Sequence, residues 1–206
     1  MKICGIISGG NYSPLDKIGE CDFIIACDKG YEYALYSAVK PDLIIGDFDS
    51  YRGQLPDDIG KIVLPVEKND TDTMVAFRYA VKEGFDEIYL YCANGGRFDH
   101  LMGNINACTF AAKNNVKVTV IDERDLIYFI SNNSVSIPEM PGYSISVLSV
   151  TDVSKNVCEK GVKYELDNVT MNNTEPLGVS NEWKGTAEIR VGDGVLMVIL
   201  SKMSGE

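Results

Sequence analysis

The sequence predicts two domains: an α/β domain with a mainly parallel, Rossmann-like sheet over residues 1–122, and an all-β sandwich or barrel over residues 123–206. Three observations support this division. The first half alternates short apolar runs with helical patterns, which is typical of βα units. Its apolar runs are rich in Ile, Val and Leu on both faces, as buried parallel strands are. After about Asp122 the helical periodicity ends, and short strand-like runs alternate with turn residues.

The predicted elements of the first domain follow from these patterns. Its strands are Lys2–Ile7, Phe23–Cys27, Leu43–Ile45, Lys61–Leu64, Glu87–Cys92 and Lys117–Ile121. Its helices are expected after the capping box Ser13–Asp16, and over Tyr31–Ser37, Thr73–Glu83 and His100–Lys113. The strands of the second domain are Leu126–Ile130, Ser134–Ile137, Ser144–Ser149, Gly161–Glu165, Asn168–Met171, Thr186–Val191 and Val195–Lys202.

Composition and charge exclude several functional classes. The formal net charge of −11 argues against a nucleic-acid-binding surface, which would be basic. No apolar run approaches the roughly 20 residues of a membrane span. The six cysteines lack Cys-x-x-Cys spacing and there is one histidine, so we expect neither a zinc site nor a disulfide scaffold. These features predict a cytoplasmic protein.

The sharpest motif is Gly46–Ser50, which reads Gly-Asp-Phe-Asp-Ser and directly follows the apolar run Leu43–Ile45. Ligands of open α/β sheets bind beyond the carboxyl ends of the strands. Asp47 and Asp49 are separated by one residue and can converge on one cation where the chain turns, and Mg²⁺ prefers such oxygen ligands. The same residue types also form ordinary polar turns, so spacing alone leaves both interpretations open.

A second acidic group, Lys68–Asp72, precedes a predicted helix. A side-chain oxygen of Asp70 or Thr71 is expected to cap that helix. Asp72 is a candidate to share a cation with the earlier aspartates, and Lys68 is a candidate to face phosphate. Capping alone would also explain the group.

A glycine pair, Gly95-Gly96, lies with Arg97 between a predicted strand and a predicted helix. Paired glycines let the backbone approach a ligand closely, and the helix start suits phosphate. The guanidinium of Arg97 offers several donors to phosphate oxygens. A tight loop with Asp99 as helix cap is the alternative, and His100 is as suited to packing or capping as to catalysis.

Three further features are weaker. Asp28-Lys29-Gly30 follows the second predicted strand and either contacts nucleotide or turns the chain. Ser8–Asn11 after the first strand is weaker still, and neither segment has the Gly-Lys-Ser/Thr ending of a P-loop. In the second domain the sole tryptophan, Trp183, is suited to stacking on a heterocycle or to packing in the core.

Taken together, these segments resemble the thiamine pyrophosphokinase family. The resemblance is carried by Gly46–Ser50, by Thr71-Asp72 after Lys68, by Gly95–His100 and by Ser180-Asn181, in an order that covers nearly the whole chain. It implies an ATP-binding N-terminal domain and a C-terminal β-sandwich for thiamine binding and dimerisation. The implied homodimer has its active site at the subunit interface. The implied reaction transfers a diphosphate from ATP to thiamine, giving thiamine diphosphate and AMP, with Mg²⁺.

The resemblance also implies roles for individual residues. The implied magnesium ligands are Asp47, Asp49 and Asp72. Further catalytic positions are Asp99 and Arg97. The implied nucleotide-site positions are Asp28, Gly30, Lys68, Thr71, Gly95, Gly96, Arg97 and His100. The implied thiamine contacts are Ser180 and Asn181, with Trp183 stacked on the pyrimidine.

The chain departs from the family pattern at two places. Asn69 replaces the first aspartate of the usual Lys-Asp-x-Thr-Asp, and the usual Asp-Gly-Gly-x-Asn survives only as Asp28 and Gly30. Two alternatives therefore stay open. One is a pyrophosphokinase for another hydroxymethyl heterocycle, such as a pterin, and the other is a non-catalytic nucleotide sensor.

Overall fold

The computed structural model describes residues 1–48, 53, 55–65 and 69–203 of the chain. These residues divide into two compact units, Met1–Glu123 and Arg124–Glu206, called unit 1 and unit 2 below. Asp49 and Lys68, two of the predicted site residues, lie outside the described residues. Within the described part, no helix is long and apolar enough to cross a membrane.

The described residues of unit 1 form six strands that pair in parallel. They are β1 Ile3–Ile7, β2 Phe23–Cys27, β3 Leu43–Gly46, β4 Gly60–Val63, β5 Glu87–Tyr91 and β6 Lys117–Ile121. The strand order is β6-β5-β1-β2-β3-β4, and every neighbouring pair is parallel. The chain leaves β1 through β2 to β4 and then returns to the other side of β1 for β5. Ligands of such sheets bind beyond the carboxyl ends of the strands where the order reverses.

Three helices cross over between these strands: α1 Gly30–Tyr36, α2 Asp72–Lys82 and α3 Phe98–Lys113. The buried residues of α2 are Thr73, Ala76, Phe77 and Ala80, which recur with the spacing of one helical face. Their burial fixes the rotation of α2 about its axis. The first turn of α2 is consequently held at one orientation beside the sheet.

The helix expected after the capping box Ser13–Asp16 is wrong. The structure has turns there and a three-residue 3-10 helix, Ile18–Glu20. The Ser13 side chain is directed at Cys92, with Oγ 3.9 Å from Sγ, and its backbone N–H also donates to that sulfur. Only six residues separate Asp16 from β2, which leaves less than two helical turns.

Unit 2 contains two antiparallel sheets. Its strands are β7 Asp125–Ser131, β8 Ser134–Ile137, β9 Tyr143–Ser149, β10 Val153–Val162, β11 Leu166–Asn172, β12 Gly178–Asn181, β13 Trp183–Arg190 and β14 Val195–Lys202. The orders are β12-β9-β14-β7 and β11-β10-β13-β8. Buried side chains from both sheets, such as Val147 and Val198 of the first and Val157 and Ile189 of the second, form one apolar core.

Two strands of unit 2, β10 and β12, differ clearly from the prediction. A strand was expected at Gly161–Glu165, but β10 ends at Val162 and the chain turns before β11 begins at Leu166. Most of β10 has no alternating pattern, because register shifts interrupt its pairing with β11 and β13. Two of its buried positions are also polar, Ser154 and Glu159. The short strand β12 was not predicted either.

Candidate functional site

A cavity of about 850 Å³ lies at the carboxyl edge of the parallel sheet in unit 1. It is lined by residues that follow β1, β2, β3 and β5 and by the segment that opens α2. The predicted site residues in its wall are Asp28, Asp47, Thr71, Asp72, Gly95, Gly96, Arg97 and His100. Gly30 and Asp99 are not among the lining residues, and Gly30 is instead buried at the start of α1.

The described carboxylates of the cavity wall, with Asp70 among them, come from three separate segments of the chain. Asp28 follows β2, Asp47 follows β3, and Asp72 is the first residue of α2. A Cβ on Gly46 would lie 2.0 Å from Oδ1 of Asp28, so the glycine lets that carboxylate lie against the end of β3. The strand topology thereby gathers negative charge at one edge of the sheet.

The donor set suits a hard cation whose other ligands come from a phosphate chain. Mg²⁺ is usually held by one or two carboxylates together with substrate phosphates and water. Asp47 and Asp72 provide two such carboxylates in one cavity wall. Among the described residues there is no group of three or more potential metal ligands, and Asp49, the third predicted ligand, lies outside them.

The polar residues at the N-terminus of α2 make different contacts. Thr71 is the helix cap, because its Oγ1 accepts from the backbone N–H of Met74 at 3.1 Å. Asp70 instead forms an ion pair with Arg78, at 3.0 Å. Capping therefore does not explain Asp72, whose side chain is half-buried in the cavity wall.

Two hydroxyl groups lie in the cavity wall, one on Ser8, a weak candidate from the sequence, and one on Thr73, which sequence reasoning missed. Oγ of Ser8 and Oγ1 of Thr73 lie 2.8 Å apart and form a buried hydrogen bond. This bond joins the end of β1 to the first turn of α2, immediately beside Asp72. The backbone carbonyl of Asp72 also accepts from Sγ of Cys27, at 3.7 Å. The sequence signal for Ser8 is its position directly after a predicted strand, and Thr73 has no such signal.

The glycine pair shapes the loop after β5. Gly95 and Gly96 both have positive φ, 75° and 70°, which residues other than glycine rarely adopt. A Cβ on Gly95 would lie 2.1 Å from Nδ2 of Asn11, so the loop passes close to the segment after β1. Asn104, also missed, supports this region by donating from Nδ2 to the carbonyl of Ala93 at 2.9 Å.

Arg97 and Asp99 form a two-bond ion pair at the start of α3. Nε of Arg97 donates to Oδ1 at 3.1 Å, and its second nitrogen donates to Oδ2 at 2.5 Å. Both side chains are exposed. The guanidinium lowers the pKa of Asp99 below its usual range, and the backbone N–H of His100 acts in the same direction. Asp99 is consequently a weak base that orients Arg97.

The predicted thiamine contacts all lie in unit 2. Ser180 is exposed, with a positive φ of 58°, and its backbone N–H donates to Oγ of Ser146 at 2.9 Å. Trp183 is half-buried and donates from Nε1 to the carbonyl of Tyr143 at 2.6 Å. Asn181 is buried, and its amide is used within unit 2. Ser180 and Trp183 therefore present more accessible surface than Asn181 does.

Comparisons with known proteins agree in both units. Residues 16–120 match the family model described as thiamin pyrophosphokinase, catalytic domain. Residues 132–196 match the model described as thiamin pyrophosphokinase, vitamin B1 binding domain. Together the two models cover most of the chain.

Several proteins are similar to this chain over nearly its whole length. The thiamine pyrophosphokinase of Bacillus subtilis (strain 168) is 31% identical, and the match covers 98% of this chain and 99% of that protein. A crystal structure of thiamine pyrophosphokinase from Bacillus subtilis has a TM-score of 0.86 at 27% identity, covering 98% of this chain and 99% of that one. The enzyme from Geobacillus thermodenitrificans has a TM-score of 0.81 at 25% identity, with the same coverage. On the family models and this full-length similarity, the chain belongs to the thiamin pyrophosphokinase family.

Proposed function

We propose that the chain transfers the β,γ-diphosphate of ATP to the hydroxyl of thiamine, giving thiamine diphosphate and AMP. The observation that carries the proposal is the convergence of Asp47, Asp72 and the Gly95–Arg97 loop on one cavity at the carboxyl edge of the sheet. Family membership identifies the reaction, and the cavity supplies the groups that it needs. The alternatives, another hydroxymethyl heterocycle or a nucleotide sensor, are not favoured by the comparisons.

In the proposed reaction the thiamine hydroxyl oxygen attacks the β-phosphorus and loses its proton to water. The bond from that phosphorus to the oxygen shared with the α-phosphate breaks, and AMP leaves with the electron pair. Positioning and neutralisation of charge dominate such transfers. The exposed guanidinium of Arg97, held by Asp99, would donate to phosphate oxygens, and the backbone of Gly95 and Gly96 would approach them.

We propose that Asp47 and Asp72 hold a magnesium ion, with Asp49 as a third ligand. The ion supplies charge neutralisation for the phosphate chain, which three nearby carboxylates would otherwise repel. Lys68 and Lys29 would add positive charge near the phosphates; Lys29 lines the same cavity. Asp28, Thr71 and His100 complete the proposed nucleotide wall.

We propose that unit 2 binds thiamine through Ser180 and Trp183, with Asn181 beside them. The indole of Trp183 would stack on the pyrimidine, while its N–H remains bonded to Tyr143. In the proposed homodimer, thiamine lies at the subunit interface and unit 2 also serves dimerisation. Unit 1 would be the Rossmann-like, ATP-binding domain.

We place the reaction in the cytoplasm. The six cysteines are free thiols in this structure, and free thiols persist in a reducing compartment. Four of them, Cys4, Cys27, Cys92 and Cys108, are buried.

Thr73→Val should weaken the reaction with ATP through the first turn of α2. Valine keeps the shape but removes the hydroxyl bonded to Ser8, which costs about 1 kcal/mol of unfolding free energy. Since Asp72 lies one residue away, we also expect kcat/KM for ATP to fall about tenfold. Thr119→Val, at a buried threonine of β6 outside the cavity wall, is the matched control. Equal kinetic effects in both variants would contradict a positioning role for Thr73.

The proposed reaction is tested by its products. The chain is incubated with Mg²⁺, ATP and thiamine, and ³¹P NMR follows the phosphates. We expect AMP and thiamine diphosphate in equal amounts, and no AMP when thiamine is left out or Mg²⁺ is chelated. ADP with thiamine monophosphate would contradict diphosphate transfer. AMP with a hydroxymethylpterin but not with thiamine would favour the pterin alternative, and no AMP with any heterocycle would favour a sensor.

A further inference from the structure

A buried carboxyl group, that of Glu159, lies in the core of unit 2. Glu159 is on β10 and is only 1% exposed. Its Oε1 is buried and has no hydrogen-bond partner among the described residues. Its Oε2 accepts a single bond, from Nδ2 of Asn181 at 3.1 Å. A carboxyl group in an apolar core costs free energy of folding, so its presence needs an explanation other than stability.

The charged residues close to Glu159 along the chain do not neutralise it. Lys160 forms an ion pair with Glu165 at 3.4 Å, and Lys163 forms one with Glu182 at 2.7 Å. All four of those side chains are on the surface. Within the described part of unit 2, no ion pair involves Glu159, and the Asn181 amide is its hydrogen-bond partner.

The amide of Asn181 joins three parts of unit 2. Its Oδ1 accepts from the backbone N–H of Tyr164 and of Glu182, both at 3.0 Å. Its Nδ2 donates to the carbonyl of Tyr164 at 3.0 Å as well as to Glu159. Because a carboxylate oxygen accepts and the backbone N–H groups donate, only one orientation of this amide satisfies all four bonds.

We propose that Glu159 is a positioning residue for the thiamine-facing end of β12, acting through the amide of Asn181. Ser180 and Trp183, the two accessible candidates for thiamine contact, flank this amide in sequence. With the amide held in one orientation, the turn at Tyr164 and the start of β13 are fixed beside them. This inference rests on the proposed function and gives Asn181 a framing role.

The test compares variants that remove or keep the acceptor oxygen. Glu159→Met keeps an unbranched side chain of similar length and removes the acceptor, whereas Glu159→Gln keeps one. For Glu159→Met we expect the KM for thiamine to rise about fivefold to tenfold, the effect of one lost hydrogen bond, and the KM for ATP to stay within about twofold. Glu159→Gln should largely restore the thiamine KM. Glu188→Gln, an exposed glutamate of β13, is the matched control.

A second readout does not depend on turnover. Trp183 is the sole tryptophan, so its fluorescence can be titrated with thiamine alone, and Glu159→Met should shift the midpoint by the same factor. An unchanged thiamine KM and midpoint in Glu159→Met would overturn the inference, as would equal increases in both KM values. Should Glu159→Met not fold, Glu159→Leu takes its place under the same criteria. Absence of AMP formation by the unsubstituted chain would instead defeat the proposed function.

Discussion

Replacing Asp72 with asparagine is expected to lower kcat by about 10²- to 10³-fold while the fold survives. Asparagine has the same shape but no charge, so the proposed magnesium ion loses one of its two carboxylates in the described cavity wall. The effect on folding should be small. Asp72 is the first residue of α2, and losing a charge at a helix N-terminus costs about 0.3–1 kcal/mol.

This prediction is measured by AMP release and by thermal melting on the same preparation. Asp58→Asn is the matched control, because Asp58 pairs with Lys40 on the surface, away from the cavity. We expect its activity to equal that of the unsubstituted chain. Nearly normal turnover by Asp72→Asn would refute its assignment to the metal.

The second large effect concerns stability and pH. Burial raises the pKa of Glu159 to about 7 from its ordinary value of 4.5, against a smaller opposing effect of the Asn181 hydrogen bond. The folded state therefore binds the proton more tightly than the unfolded state does. The stabilising contribution of this tighter proton binding is complete below pH 4.5. It is lost as the pH rises through the folded-state pKa of about 7. The loss should amount to about 3 kcal/mol of unfolding free energy.

Urea unfolding followed by Trp183 fluorescence reports this loss, since that tryptophan lies in unit 2. Glu159→Gln cannot ionise at this position. We expect the difference in unfolding free energy between the unsubstituted chain and Glu159→Gln to change by about 3 kcal/mol from about pH 4.5 to about pH 8, in favour of the variant. A difference that stays constant with pH would show that Glu159 does not titrate in this range.

Removing the carboxyl group of Glu159 should have opposite effects on the stability of unit 2 and on thiamine binding. Above about pH 7, removing the carboxyl group should stabilise unit 2, because a buried charge is removed. In Glu159→Met the substitution should also weaken thiamine binding, because the acceptor for Asn181 is removed, whereas Glu159→Gln keeps an acceptor. A purely structural residue would not separate stability from substrate affinity in this way.

Much of unit 1 could be predicted from the sequence because its signals are local. Buried parallel strands such as Ile3–Ile7 and Glu87–Tyr91 are short apolar runs, and they agree with the predicted positions to within one residue at each end. The α2 start carries its own cap, Thr71. The helix predicted after Ser13 shows where local signals are insufficient. A capping box is present, but Ser13 contacts Cys92 and β2 begins too soon for a helix to form.

Unit 2 was harder because its antiparallel strands depend on distant partners. The register shifts of β10 break the two-residue alternation of buried and exposed side chains. A buried polar residue such as Glu159 has the sequence pattern of a solvent-facing position. The Glu159–Asn181 bond joins residues 22 apart in sequence, on strands of different sheets. No short motif signals such a contact.

The candidate site shows the same division. Asp47, Asp72 and Arg97 were identifiable as candidates because each lies beside a glycine or at a helix start. Thr73 was not identified and Ser8 was only a weak candidate, because their hydrogen bond forms only when β1 and α2 come together across 65 positions of sequence. Sequence patterns thus indicate the charged groups of the cavity, and the supporting contacts require the fold.

Binding of Mn²⁺, as a paramagnetic substitute for Mg²⁺, tests the central claim that loop carboxylates hold a divalent ion on the nucleotide phosphates. Electron paramagnetic resonance would measure bound Mn²⁺ with a non-hydrolysable ATP analogue present, in the unsubstituted chain, Asp72→Asn and Asp58→Asn. We predict nucleotide-dependent Mn²⁺ binding that is at least about tenfold weaker in Asp72→Asn alone. Equal binding in all three proteins, or none in the unsubstituted chain, would contradict the account.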